Sequence, residues 1–175
     1  MRRAPLCLAL LFLVACGEGR TPPAAQVGQH TTAPDNRLIE ENKRFAEREE
    51  ADIQAWIRRQ GMAMAATGTG LRYALLRDVP GDTARPGQQA VINFTACLLN
   101  GDTAYASEPG KPGIFRIGHA DVESGLHEGI QHLSPGDSAV LVIPSALAFG
   151  LLGDREKIPM RSTVVYHIGL VAVKK

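Results

Sequence analysis

The sequence predicts an α+β protein in which a long N-terminal helix precedes short strands and one further short helix. Three observations support this fold class. Before residue 61, a charged stretch carries apolar residues at helical spacing. After it, alternating apolar and polar residues are separated by turn-forming Gly, Pro, Asn and Asp. A single short helical stripe interrupts these strand-like runs.

Length and charge restrict the class of protein. The 175 residues allow one domain plus extensions. The 19 basic and 18 acidic side chains give a formal net charge of +1, which argues against a strongly basic nucleic-acid-binding protein. We therefore expect no nucleic-acid partner. Aromatic residues make up only 5% of the chain, so an aromatic-lined site has to be small.

The first fifteen residues predict a signal peptide. Arg2 and Arg3 are followed by an apolar run over 4–14, which is shorter than the roughly 20 residues of a membrane-spanning helix. The run ends in a motif that resembles a bacterial lipobox, with cleavage before Cys16 and lipid attachment to its thiol. We expect a lipid-anchored envelope protein that faces the periplasm, with the outer membrane favoured. The alternative is an ordinary signal peptide in which Cys16 occurs by chance.

The next part of the sequence predicts a flexible tether over 16–35 and then a charged amphipathic helix over 36–61. The first segment is rich in Gly, Thr, Pro and Gln and lacks periodicity. Asn36 is a suitable N-cap, and Gly61 suits the position after a helix that ends near Gln60. An apolar stripe along this helix comprises Leu38, Ile39, Phe45, Ile53, Trp56 and Ile57. It can be buried against the rest of the chain or against a second copy; we expect the former, in a monomer.

Residues 62–175 predict one domain. Strand-like runs occupy 71–78, 88–99, 114–118, 139–143 and 163–173. Alternation within the second run places Ile92 and Phe94 on one face. The sequence from Asn100 to Asp102 predicts a hairpin turn. The short helix is predicted over 121–133, from a stripe formed by Val122, Leu126, Ile130 and Leu133.

Motifs in this domain occur in an order that carries a family resemblance. They are Gly70-Leu71-Arg72-Tyr73, Val91-Ile92-Asn93-Phe94-Thr95, Glu128-Gly129, Ile143-Pro144, Leu147-Ala148-Phe149-Gly150, Ile158-Pro159 and Thr163-Val164-Val165-Tyr166. Over about 105 residues this order resembles an FKBP-type peptidyl-prolyl cis-trans isomerase. The charged helix before these motifs is similar to that of the envelope lipoprotein branch of this family, which is associated with gliding motility. The resemblance implies an antiparallel sheet of five to six strands that wraps one short helix, with a ligand pocket between them.

The resemblance also implies which residues form the pocket. The proline-ring pocket would comprise Phe94, Val122, Leu126, Phe149, Ile158 and Tyr166, with Leu126 as its floor. The backbone N–H of Glu123 would hold a substrate carbonyl while its side chain points to solvent. Tyr105 stands where the family usually has a carboxylate, and Ala104 where it has a pocket aromatic. One wall is therefore expected to be shallower than usual.

This chemistry requires an apolar pocket rather than an acid, a base, a metal or a cofactor. Rotation about a peptide C–N bond passes through a twisted state that is less polar than the planar amide, so an apolar site can favour it. His127 and His132 are five residues apart, which does not align them on one helical face for metal binding. We expect no metal, no cofactor, and proline-containing polypeptides as substrates. The alternative is a non-catalytic chaperone or scaffold lipoprotein of the cell envelope.

Overall fold

The computed structural model describes residues 36–120 and 122–175, so the predicted signal peptide, Cys16 and tether lie outside the described residues. The described residues form two α-helices, α1 (Asn36–Gln60) and α2 (Ser124–Ile130). In chain order, the strands are β1 (Ala65–Ala66), β2 (Arg72–Arg77), β3 (Gln89–Leu98), β4 (Thr103–Ala106), β5 (Gly113–Arg116), β6 (Ser138–Ile143) and β7 (Val164–Lys174).

All seven strands belong to one antiparallel sheet. Its order is β1-β2-β6-β7-β3-β4, and β5 pairs with β3 beside this path. The long strand β3 pairs with β7 along its whole length. The first half of β3 also pairs with β5 and its second half with β4, across the predicted hairpin turn. The sheet has two strands more than the five strand-like runs of the sequence, because β1 and β4 are too short to show a periodic pattern.

The predicted long helix is confirmed, and it packs within the chain. Ile53 and Trp56 of α1 are buried, and they pack against the β6 residues Val140 and Val142 and against Val165 of β7. A salt bridge of 2.8 Å between Arg72 and Glu50 joins α1 to β2. The helix ends at Gln60, and the φ of +65° at the following Gly61 is in the left-handed region that favours glycine. No helix in the described part of the chain is both long and apolar enough to cross a bilayer.

The main core lies between α2 and the opposite face of the sheet. α2 is shorter than the predicted 121–133, and it buries Leu126 and Ile130. These side chains share one apolar cluster with Leu141, Ile143 and Ile168 of the sheet. Helix and sheet approach closely because two buried α2 positions, Gly125 and Gly129, are glycines that face β6 side chains. This close packing positions the N-terminal end of α2 at the cavity described below.

The substitution Gly129→Ala is expected to destabilise the fold by about 1–3 kcal/mol. An added Cβ would overlap Cδ1 of Leu141 and lie 3.1 Å from its Cδ2. Gly68→Ala is the matched control, because a Cβ there would meet nothing within 4 Å. Urea unfolding of the two variants gives the measurement. Equal stabilities for the two would contradict the close packing of α2 on β6.

Candidate active site

A cavity of about 560 Å³ opens to solvent between the sheet and the N-terminal end of α2. Its volume is within the usual range of small-ligand sites. The described lining is mostly aliphatic and aromatic: Ile92, Phe94, Tyr105, Gly113, Ile114, Phe115, Ala120, Val122, Glu123, Leu126, Ala148, Phe149 and Tyr166. Among these described residues, Glu123 is the one with a carboxyl side chain.

Neighbouring strands place the aromatic side of this cavity. Phe94 of β3 and Tyr166 of β7 lie on paired strands, and their ring centroids are 5.9 Å apart with an interplanar angle of 43°. That separation is in the range that aromatic pairs prefer. Leu126, only 3% exposed, reaches the cavity from α2. The site is therefore built on strands of the sheet and on α2. The loop before α2 and the loop after β6 complete its walls.

Seven of the eight residues proposed from the sequence line this cavity: Phe94, Tyr105, Val122, Glu123, Leu126, Phe149 and Tyr166. Ile158 is not in the described lining. It is 2% exposed and belongs to the apolar core. The loop over 154–158 explains this position. Hydrogen bonds from Asp154 N–H to the Ile158 carbonyl and from Ile158 N–H to Asp154 Oδ1 turn that segment inward.

The side chain of Glu123 lines the cavity instead of pointing to solvent. Its Oε1 accepts a hydrogen bond of 2.9 Å from the Tyr166 hydroxyl. Burial of Tyr166, together with the adjacent Glu123 carboxylate, raises the pKa of that phenol above its usual value. The phenol therefore remains protonated at physiological pH. Because the Tyr166 hydroxyl already donates its hydrogen bond to Glu123, it does not need an acceptor from a bound substrate.

The wall expected to be shallow carries an aromatic side chain. Tyr105 of β4 faces the cavity, whereas its neighbour Ala104 is 5% exposed and lies in the core. This alternation follows from strand geometry, in which adjacent side chains point to opposite faces. Phe115 of β5 also lines the cavity, from the other strand that pairs with β3.

A hydrogen bond joins Tyr105 to the loop after β6. Its hydroxyl donates to Asp154 Oδ2 at 2.5 Å, and Lys157 Nζ lies 5.0 Å from the centroid of its ring. Asp154 Oδ1 accepts the backbone N–H groups of Glu156, Lys157 and Ile158 at 2.8–3.0 Å. We call this set of contacts to Asp154 the loop clamp. It connects two walls of the cavity.

The loop clamp changes the pKa values of both its side chains. Burial alone would raise the pKa of Asp154, but hydrogen bonds from Tyr105 and three backbone N–H groups outweigh it and lower the pKa to about 2. The hydrogen bond to Asp154 is the main cause that raises the pKa of Tyr105 to about 12. A lowered Asp pKa adds stability above its ordinary value of 3.8, and this is lost as the pH falls toward 2. A raised Tyr pKa adds stability below 10.0, and this is lost as the pH rises toward 12.

The stability difference between the wild type and Tyr105→Phe is therefore expected to depend on pH. It should be constant between about pH 5 and 9 and shrink outside that window, because either end of the clamp then changes its charge. Urea unfolding of both proteins across the pH range gives the measurement. A stability difference that persists unchanged down to pH 2 would show that Asp154 does not accept the hydrogen bond from the Tyr105 hydroxyl.

Sequence reasoning missed several residues that the fold brings to the cavity. Ile92 was detectable, since the alternation in β3 puts it on the same face as Phe94. Ala148 belongs to a motif that carried the resemblance and Phe115 lies in the predicted strand over 114–118, but nothing local showed that they point inward. Asp154 had no sequence signal at all, because it reaches the cavity only through its hydrogen bond with Tyr105, which lies 49 positions away.

Sequence comparison finds a family model and individual proteins that match this chain. The sequence model of the FKBP-type peptidyl-prolyl cis-trans isomerase family matches residues 81–171. FK506-binding protein 2 of Dictyostelium discoideum is 32% identical over 90 residues, which cover 51% of this chain and 68% of that protein. The isomerase FkpA of Escherichia coli K12 is 29% identical over 160 residues, which cover 90% of this chain and 53% of FkpA.

Two solved structures are also similar. The crystal structure of FkpA from Escherichia coli has a TM-score of 0.65 and 27% identity, over 78% of this chain and 64% of that one. The crystal structure of AtFKBP13 has a TM-score of 0.59 and 28% identity, over 65% of this chain and all of that one. The family match covers more than half of the sequence and includes all of the described cavity lining. The chain thus belongs to the FKBP-type peptidyl-prolyl cis-trans isomerases, a family of enzymes.

Proposed function

We propose that this protein accelerates cis-trans isomerisation of X–Pro bonds in exported polypeptides, and that the cavity between the sheet and α2 is where it does so. The observation that carries the proposal is the convergence of Phe94, Leu126, Phe149 and Tyr166 on one solvent-accessible cavity. An opening to solvent is necessary because the substrate is a polypeptide, of which only one residue enters the site.

The chemistry needs shape and low polarity. Rotation about the C–N bond costs about 18–20 kcal/mol because amide resonance is lost midway. The planar amide separates charge between oxygen and nitrogen, and the twisted amide loses that separation. An apolar wall therefore disfavours the planar state relative to the twisted one, which lowers the barrier. Rigid aromatic walls that hold the proline ring while the preceding carbonyl turns add an orientational contribution.

We assign roles to the predicted residues on this basis. The rings of Phe94, Phe149 and Tyr166, with Val122 and Leu126, would hold the proline ring. Glu123 is the N-cap of α2, and its carbonyl accepts the first helical hydrogen bonds, from Leu126 and His127. Its own N–H precedes the helix, so helix formation does not need it. That N–H would hold the substrate carbonyl. Tyr105 would form a side wall.

Ile158 has an indirect role in this proposal. Its buried side chain would support the loop from behind, and its N–H belongs to the loop clamp. No contact between Ile158 and substrate is required.

We further propose that the protein acts in the cell envelope. The support comes from the sequence: the signal-peptide features of residues 1–15, the candidate lipid cysteine Cys16, the predicted tether over 16–35, and the helix and isomerase domain that follow. Metabolic labelling with palmitate tests the anchor. The wild type should incorporate label and Cys16→Ala should not; equal labelling of both would contradict the lipid attachment.

The isomerase proposal is tested by the cis-to-trans relaxation of a Leu-Pro peptide with and without the purified protein. Uncatalysed relaxation takes tens to hundreds of seconds, so acceleration is easily seen. Because no acid, base or metal takes part, the acceleration should vary little with pH near neutrality. No acceleration at tens of micromolar protein would contradict catalysis and favour a non-catalytic chaperone or scaffold.

A further inference from the structure

One wall of the cavity is a long loop between β6 and β7. It starts at Ser145, in a short 3₁₀ turn over Ser145–Leu147, and it ends at Thr163. Ala148 and Phe149 of this loop line the cavity, and its Asp154 bonds to Tyr105 on another wall. We call residues 145–163 the wall loop. Its position determines where the Phe149 ring lies relative to a bound proline.

A single carboxylate from α1 joins the two ends of the wall loop. Glu49 Oε1 accepts the backbone N–H of Ser145 at 2.7 Å and the hydroxyl of Thr163 at 2.7 Å. Glu49 Oε2 accepts the hydroxyl of Ser145 at 3.1 Å. Ser145 and Thr163 are 4% and 5% exposed, so these donors have little access to water. Hydrogen bonds to a charged acceptor are stronger than those between neutral groups.

The same face of α1 holds the wall loop at another point. The Arg161 side chain donates to Asn42 Oδ1 at 3.0 Å, and its guanidinium carbon lies 4.8 Å from the centroid of the Phe45 ring. The backbone N–H of Arg161 donates to the Gly150 carbonyl at 2.9 Å, beside Phe149. Asn42, Phe45 and Glu49 are three and four residues apart, so they lie on one side of the helix.

We propose that Glu49 is a positioning residue of the isomerase, which fixes the wall loop and with it the Phe149 side of the cavity. α1 would then help to set the geometry of the active site, in addition to separating the isomerase domain from the membrane. This role is outside the family match, which begins at residue 81. The inference rests on the proposed isomerase function, because it concerns the rate of that reaction.

Loss of the carboxylate would act through geometry. Without Glu49, a buried N–H and two buried hydroxyls lose their acceptor, and such groups move to find water or another partner. The two ends of the wall loop would then no longer be joined. Misplacement of a catalytic wall by about 1 Å can cost up to a hundredfold in rate. A glutamine in place of Glu49 keeps one acceptor oxygen, and its NH₂ group can donate to the Ser145 hydroxyl, so it should preserve most of the junction.

The experiment compares Glu49→Ala, Glu49→Gln and Glu50→Ala in the full chain. Glu50 is the matched control, because it neighbours Glu49 but pairs with Arg72 of β2 and Gln54, away from the wall loop. For Glu49→Ala we expect kcat/KM for a Leu-Pro peptide to fall by about tenfold or more, under conditions where the variant is fully folded. Glu49→Gln should regain most of the rate. Glu50→Ala should stay within about twofold of the wild type.

A second readout separates positioning from general stability. Amide hydrogen exchange of Gly150, which donates to the Ser145 carbonyl, should accelerate in Glu49→Ala and not in Glu50→Ala. If Glu49→Ala does not fold, Thr163→Val removes one of the three contacts with little change of shape and should lower kcat/KM by a smaller factor. Unchanged kcat/KM in the folded Glu49 or Thr163 variant would overturn the inference. An inactive wild type would overturn the proposed function instead.

Discussion

Replacing Phe149 by alanine is expected to lower kcat/KM for X–Pro isomerisation by about tenfold to a hundredfold while the protein remains folded. The ring lines the cavity, and contact between such a ring and the substrate is worth about 1.5–3 kcal/mol. Each 1.36 kcal/mol of transition-state stabilisation corresponds to about a tenfold change in rate. Phe149 is only partly buried in the free protein, so its removal costs less stability than that of a core phenylalanine. The peptide relaxation assay measures the rate, and thermal unfolding checks the fold.

Two other side chains of the wall loop make this prediction specific. Leu151 is 62% exposed, so Leu151→Ala should leave both rate and stability almost unchanged. Ile158→Ala should instead lower the free energy of unfolding by about 2–5 kcal/mol, because Ile158 is buried in the core. If Phe149→Ala and Leu151→Ala gave the same rate, the assignment of Phe149 to the catalytic pocket would be wrong.

The largest loss of stability is expected from Trp56→Ala, at about 3–5 kcal/mol. Trp56 is 6% exposed, and it packs with Ile53 against Val140, Val142 and Val165. Its removal leaves a cavity between α1 and the sheet. Because Trp56 is the only tryptophan in the chain, urea unfolding of the variant has to be followed by circular dichroism.

A substitution in the same helix provides the control for Trp56. Leu38 is 58% exposed in α1, so Leu38→Ala should change the free energy of unfolding by no more than about 0.5 kcal/mol. Similar small losses for both variants would mean that α1 does not dock on the sheet in solution. The proposed role of Glu49 also depends on this docking, because Trp56 and Glu49 lie two helical turns apart.

Much of the fold was predictable because it depends on short-range patterns. The stripe in α1, the end of that helix before Gly61, and the alternation in β3 involve residues within a few positions of one another. The hairpin turn at Asn100–Asp102 is likewise local, and its flanking strands pair as the turn predicts. The strand β1, only two residues long, carries no such pattern and was missed.

The candidate site was predictable in part for the same reason. Residues on regular elements, such as Phe94, Leu126 and Tyr166, reach the cavity because period and register fix their direction. Ile158 lies in a loop without periodicity, where side-chain direction depends on distant partners. Its sequence motif therefore identified the loop correctly but not the face that Ile158 presents.

The sequence alone determined the order of the elements, the family, and most side chains that line the cavity, because these follow from patterns over a few residues and from motif order. Only the tertiary structure decided that Glu123 points inward to Tyr166, that Asp154 holds Tyr105, and that Glu49 joins Ser145 to Thr163. The last of these contacts connects residues 96 and 114 positions apart. Such partners are chosen by the packing of α1 and the wall loop on the sheet, and no local propensity encodes them.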